Sequence, residues 1–100
     1  MSGSNFEYHP AAAAKLTQSF DWYYERSPRA AAAFLAEVQE AVAQVVRHPN
    51  RWPLYLHGTR RFRLRRFPFV LVYFDDSETI YGLAVAHLSR RPGYWKSRVV

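Results

Sequence analysis

Apolar residues recur at helical spacing in the first half of the chain and at strand spacing in the second. Residues 5–8 (Asn5, Phe6, Glu7, Tyr8) alternate weakly, which predicts a short strand. His9-Pro10 then opens a helix, proline being tolerated in a first turn. Leu16, Phe20 and Tyr24 follow at i, i+4 and i+8, with Ala13 and Tyr23 beside them. That stripe predicts the buried face of a helix running to about Glu25. Ser27-Pro28 reads as an N-cap followed by proline at the first helical position. Ala31, Leu35, Val38, Val42 and Val45 then alternate four- and three-residue steps, predicting a second helix. It ends near Arg47, because His48-Pro49-Asn50 cannot continue it. Two helices joined by a loop of two or three residues must lie antiparallel, as a hairpin.

After Asn50 the period drops from 3.6 to 2. Arg51 to Gly58 reads as a loop carrying Trp52, Pro53, Leu54 and Tyr55. Thr59 to Arg66 alternates: Phe62 and Leu64 point one way, Arg61, Arg63 and Arg65 the other. Phe67-Pro68 marks a turn, and Phe69 to Phe74 is unbroken apolar, as in a strand buried on both faces. Asp75-Asp76-Ser77-Glu78 reads as a hairpin loop before a third strand from Thr79 to His87. The tail from Leu88 to Val100 is basic and aromatic. A short strand, two helices and three antiparallel strands describe an α+β domain spanning residues 1–100, in the order β-α-α-β-β-β. The antiparallel helical hairpin is expected to pack on one face of a small twisted antiparallel sheet. The other face is expected to stay concave and lined by arginine.

Composition narrows the class. With 49% hydrophobic and 17% aromatic residues in 100 positions, the chain can build a core, which excludes intrinsic disorder. It has no cysteine, so disulfides, thiolate nucleophiles and cysteine-ligated metal centres are excluded. No apolar run approaches the roughly 20 residues that span a bilayer. The opening MSGSNFEYHP lacks the pattern of a secretory signal, so a cytoplasmic location is expected. Charge is the first functional clue: residues 1–50 sum to −1 and residues 51–100 to +7, and twelve of the fourteen basic residues are arginine. Arginine presents a planar fork suited to phosphate and carboxylate, so the field favours a polyanion or an acidic protein partner.

The strand row Arg61, Arg63, Arg65 is the leading candidate site. Alternate strand residues share a face at about 6.7 Å, close to the separation of successive phosphates on an extended nucleic-acid strand. Three like charges in a row require a compensating polyanion or acidic segment; the plainer reading is an edge strand protected by charge. His87, at the end of the last strand, and Tyr94 beyond it stand near arginines and could serve as base or acid in RNA cleavage. The sequence alone favours the plainer reading, a strand-end histidine whose ring hydrogen-bonds the backbone and aromatics packed on the sheet. His9, His48 and His57 lie beside turns without metal-ligand spacing, and no phosphate-binding glycine loop is present. No metal or cofactor is expected.

The segment FRLRRFPFVLVYF, followed by LAVAHLSRRPGYWKSR, resembles the ParE side of the RelE/ParE toxin superfamily. The matching features are the basic strand Arg61 to Arg66, the turn Phe67-Pro68-Phe69, Tyr73, and the closing His87, Arg90, Pro92, Tyr94, Trp95. The upstream hairpin fits too, with Tyr24 and Phe34, as does His48-Pro49-Asn50. The resemblance implies a toxin of a type II toxin–antitoxin pair, of the kind that stabilises plasmids. Such a toxin is neutralised in a hetero-oligomer by a cognate antitoxin that wraps it. It arrests growth by inhibiting DNA gyrase, without being an enzyme, or by cleaving ribosome-bound mRNA as an endonuclease. For target and antitoxin contact the resemblance points to Arg61, Arg63, Arg65, Arg90, Arg91, Tyr94, Trp95 and Arg98; for cleavage, to Arg61, Arg63, His87, Arg90 and Tyr94. Two cationic positions of the RNA-cleaving branch fall on Val70 and Leu88 here, which favours gyrase inhibition.

Overall fold

The computed structural model describes residues 5–99. The chain runs β1 (Asn5–Tyr8), α1 (Pro10–Arg26), α2 (Pro28–Arg47), β2 (Arg60–Arg63), β3 (Phe69–Asp75) and β4 (Thr79–His87), with single 3-10 turns at Leu56–Gly58 and Lys96–Arg98. Local chemistry sets these boundaries. The His9 Nδ1 accepts from the Ala11 amide at 3.1 Å ahead of Pro10, capping α1. The Ser27 Oγ accepts from the Ala30 amide at 3.1 Å and caps α2, so Ser27 alone joins the helices, a tighter link than the two or three residues expected. In the β3–β4 loop the Asp76 Oδ1 accepts from the amides of Glu78 and Thr79, a side chain standing in for a turn partner.

The sheet order is β1-β4-β3-β2. The last three strands are antiparallel as expected, and β1 joins parallel to β4 at the far edge, so the sheet as a whole is mixed. Parallel pairing needs a long crossover connection, and the two helices with β2 and β3 supply it. Gly82 permits the join: a Cβ there would lie 2.7 Å from the Phe6 ring and 3.0 Å from that of Tyr8.

Between the helices and the sheet lies the main core: Phe34, Val38, Ala41 and Val45 of α2 against Leu64, Phe69, Leu71, Tyr73, Ile80 and Val85. The helix faces are rotated from those expected. In α2 the fully buried residues are Ala31, Phe34, Val38, Ala41 and Val45, while Leu35 and Val42 are half-buried. In α1 the deepest positions are Ala12 and Ser19, and Tyr24 is exposed. Alanine-rich turns leave the phase of a stripe underdetermined, and the bulk of Phe34, ringed by Tyr23, Phe67 and Phe69 at 5.1–5.4 Å, sets it. The Tyr73 hydroxyl donates to the Pro49 carbonyl at 2.7 Å, tying the end of α2 to the sheet. Burial pushes its phenol up to about 12, against an opposing pull from Arg60.

The second face of the sheet is not bare. Val70, Val72, Leu83, Ala84 and Ala86 form a smaller core with Trp95, which is 1% exposed, and with Tyr55, Phe74, Tyr81, Tyr94 and Val99 around it. The tail therefore folds back as a cover, and the open arginine-lined face expected from the strand pattern is reduced to a rim. The tail has apolar residues at Tyr94, Trp95 and Val99, and an uncovered sheet of valine and alanine gives them somewhere to bury.

Candidate functional site

The alternation of β2 is real but short. Arg60 and Phe62 share the helix side with their partners Tyr73 and Leu71, and Arg61 and Arg63 share the tail side with Val72 and Val70. Arg65 does not extend that row, because β2 ends at Arg63. Leu64 turns inward to the helix-side core, and its amide donates to the Phe69 carbonyl at 3.0 Å. The chain then bends through Arg65 and Arg66, whose two amides both donate to the Glu37 carboxylate of α2. Glu37 also faces the Arg66 Nε at 3.4 Å. Arg65 is thus an exposed cation on a turn held by α2 and not the third member of a strand row. The sequence offers no periodic signal for this clamp, since Glu37 is one of two acidic residues on α2 and its partners lie on a distant turn.

Arg61, Arg90, Arg91, Tyr94 and His87 are brought together around a cleft of about 160 Å3 on the tail side. Its floor is Val70, Val72, Ala86 and Trp95, and Tyr55 walls it on the β2 side. The loop before β2 places Tyr55: its amide donates to the Thr59 carbonyl at 2.7 Å, and His57 and Gly58 take positive φ between them. Arg61 lies over the Tyr55 ring at 4.7 Å, and Arg90 over the Tyr94 ring at 3.9 Å. Tyr55, read from sequence only as a loop residue, is a wall of the site, which a strand pattern cannot show because its neighbours in space come from β2 and the tail.

Two expected contact residues, Trp95 and Arg98, and the cleavage candidate His87 have structural occupations. Trp95 is core. Arg98 donates from its guanidinium to the Leu83 carbonyl at 2.9 Å and lies over Tyr94 at 5.3 Å, so it anchors the tail. The His87 Nδ1 accepts from the Ser89 amide at 3.0 Å and lies 2.8 Å from the Ser89 hydroxyl. An amide can only donate, so Nδ1 carries no proton while that bond stands, and the hydrogen of the neutral ring sits on Nε2. Arg63 is exposed on the same face but does not line the cleft. Among the described residues, ion pairs are made by Arg26, Arg47 and Arg66, and none by Arg61, Arg63, Arg65, Arg90 or Arg91. No group of three or more His, Asp or Glu side chains able to hold a metal comes together among the described residues.

A second, larger groove of about 990 Å3 runs between α1 and the start of β3 and end of β4. Trp22, Tyr23, Pro68 and Phe69 make it apolar, and Lys15, Asp21, Glu25 and Arg90 edge it. Trp22 is 52% exposed there, with Arg26 over its ring at 3.7 Å. The turn from His87 to Arg90 is a ridge common to both concavities.

Residues 6–92 match the sequence model of the ParE toxin of the type II toxin–antitoxin system parDE. Among solved structures, the fold resembles a chain from the chromosomal ParDE TA system of P. aeruginosa, with a TM-score of 0.75 at 21% identity, over 87% of this chain and 98% of that one. No curated protein sequence matches the chain.

Proposed function

Given that the chain belongs to the ParE toxin family of type II toxin–antitoxin systems, we propose that it acts as a binding toxin that arrests growth by inhibiting DNA gyrase and is neutralised by a cognate antitoxin. The observation that carries this reading is the make-up of the cleft. Its rim is cationic and its floor is Val70, Val72 and Ala86. A phosphoryl-transfer site needs cations and proton carriers aimed at the reacting phosphate. The floor supplies neither, and the His87 Nδ1 is occupied by the Ser89 amide. Such a surface is suited to holding an anion-bearing partner and poorly suited to cutting one.

The antitoxin is assigned to the larger groove. An extended or helical segment needs a long apolar bed, and the α1 groove supplies one, with the exposed Trp22 as its anchoring surface. The antitoxin then abuts the His87–Arg90 ridge that the groove shares with the cationic cleft.

A supercoiling assay with purified toxin tests the target. Inhibition, or trapped cleavage complexes, at micromolar toxin supports gyrase as the target. Intact gyrase activity together with codon-phased mRNA breaks after induction assigns the protein to the endonuclease branch instead.

A further inference from the structure

We infer that the small cleft docks an acidic segment of the toxin's target protein: one apolar side chain rests in the cleft over the floor of Val72, Ala86 and Trp95, and flanking carboxylates meet Arg61 and Arg91. This rests on the binding-toxin reading and supplies the chemistry by which the target is recognised. The size of the cleft limits its occupant. About 160 Å3 is roughly five times the ~30 Å3 that a water takes in the liquid, room for one branched or aromatic side chain. The floor is apolar, so such a side chain gains from leaving water there. The two rim arginines have no carboxylate partner among the described residues, and the guanidinium fork matches a carboxylate in two hydrogen bonds. An apolar anchor in a desolvated seat, ringed by charges that orient it, is the usual division of labour at a protein interface.

The same lining argues against single-stranded nucleic acid. Bases need open aromatic faces on which to stack. Here Tyr55 and Tyr94 already carry guanidinium groups at 4.7 and 3.9 Å, and Trp95 is sealed into the core. The strand row that would have tracked a phosphate chain is cut to Arg61 and Arg63. Arg61, Arg91 and Ala86 line the cleft and not the α1 groove, so target docking and antitoxin docking are separable by mutation.

The test uses the full chain and fluorescence anisotropy with three labelled probes: the peptide Asp-Glu-Leu-Asp-Glu, the same peptide with serine for leucine, and an oligothymidine. The leucine peptide is expected to bind about tenfold or more tightly than the serine peptide, the worth of one buried aliphatic side chain, and more tightly than the oligonucleotide. Equal binding of the two peptides, or preference for the oligonucleotide, overturns the inference. The exposed pair Arg61→Ala with Arg91→Ala is expected to weaken peptide binding and gyrase inhibition together while the toxin still co-purifies with its antitoxin. Ala86→Leu, which fills the seat, is expected to do the same if it folds. Unchanged inhibition by the arginine pair overturns the assignment. A toxin that discriminates the peptides but leaves gyrase untouched removes only the gyrase reading, and one that inhibits gyrase without discriminating them removes only this inference.

Discussion

Arg60 and Arg61 are adjacent in sequence and opposite in fate. Arg60 lies on the helix side and donates to the carbonyls of Trp52 at 2.7 Å and Asn50 at 3.3 Å, closing the loop that follows α2. Arg61 lies on the tail side with only an aromatic ring beneath it. Arg60→Ala is therefore expected to cost about 1–3 kcal/mol of stability, the range for charge-assisted hydrogen bonds, and Arg61→Ala to leave the urea midpoint nearly unchanged while weakening inhibition. Paired denaturation and supercoiling measurements on the two variants check this. Tyr73 makes a second residue-scale prediction. Its folded phenol is raised to about 12 from an ordinary 10.0, so the neutral form is favoured on folding. That contribution is fully present below pH 10 and is lost as pH rises towards 12, where the folded phenol ionises too. Tyr73→Phe is expected to be less stable at neutral pH by about 1 kcal/mol, from the lost bond to Pro49. It is also expected to show a shallower fall of urea midpoint through the alkaline window.

At the scale of elements, the turn between β2 and β3 is held from outside itself. Two consecutive amides and one guanidinium converge on Glu37, so α2 fixes where the exposed Arg65 stands. Glu37→Ala removes an acceptor from three donors. It is expected to raise amide hydrogen exchange at Arg65 and Arg66 while the protection of β3 and β4 stays intact. Protection that is unchanged at the turn would show that the bend is stable on its own. The parallel edge has a comparable single point of dependence. Gly82→Val pushes a side chain into the rings of Phe6 and Tyr8. The expected cost is about 1–3 kcal/mol, typical of overpacking, with β1 the first strand to lose protection.

At the scale of the molecule, the charge imbalance between the halves becomes a field. Nine of the ten basic residues of the second half crowd β2, the β2–β3 turn and the tail, while four of the five acids of the first half lie on the helices. Long-range attraction of this kind speeds encounter with an acidic partner and is screened by salt. The association rate with gyrase is expected to fall steeply between about 0.05 and 0.3 M salt as the Debye length shrinks towards ~6 Å, with a much smaller change in the dissociation rate. A rate that ignores salt would assign recognition to the apolar seat alone.

The sequence by itself determined the elements and their order. Caps, prolines and the change of period from 3.6 to 2 are short-range signals, so β1, α1, α2 and β4 fall where the pattern puts them. It determined that Arg61 and Arg63 share a face, since alternation is a property of the strand backbone. Tertiary structure decided what the pattern could not reach. The phase of the helix faces depended on where Phe34 found its aromatic neighbours, because a run of alanines buries equally well in several rotations. The end of the arginine row depended on Glu37, 28 residues from Arg65 in sequence and on another element. Whether the second face stayed open depended on the tail, whose Trp95 gains more from the apolar sheet than from water. Local chemistry is written in neighbours along the chain; the cleft is made by groups that become neighbours only when a helix, a loop and a tail compete for the same buried area.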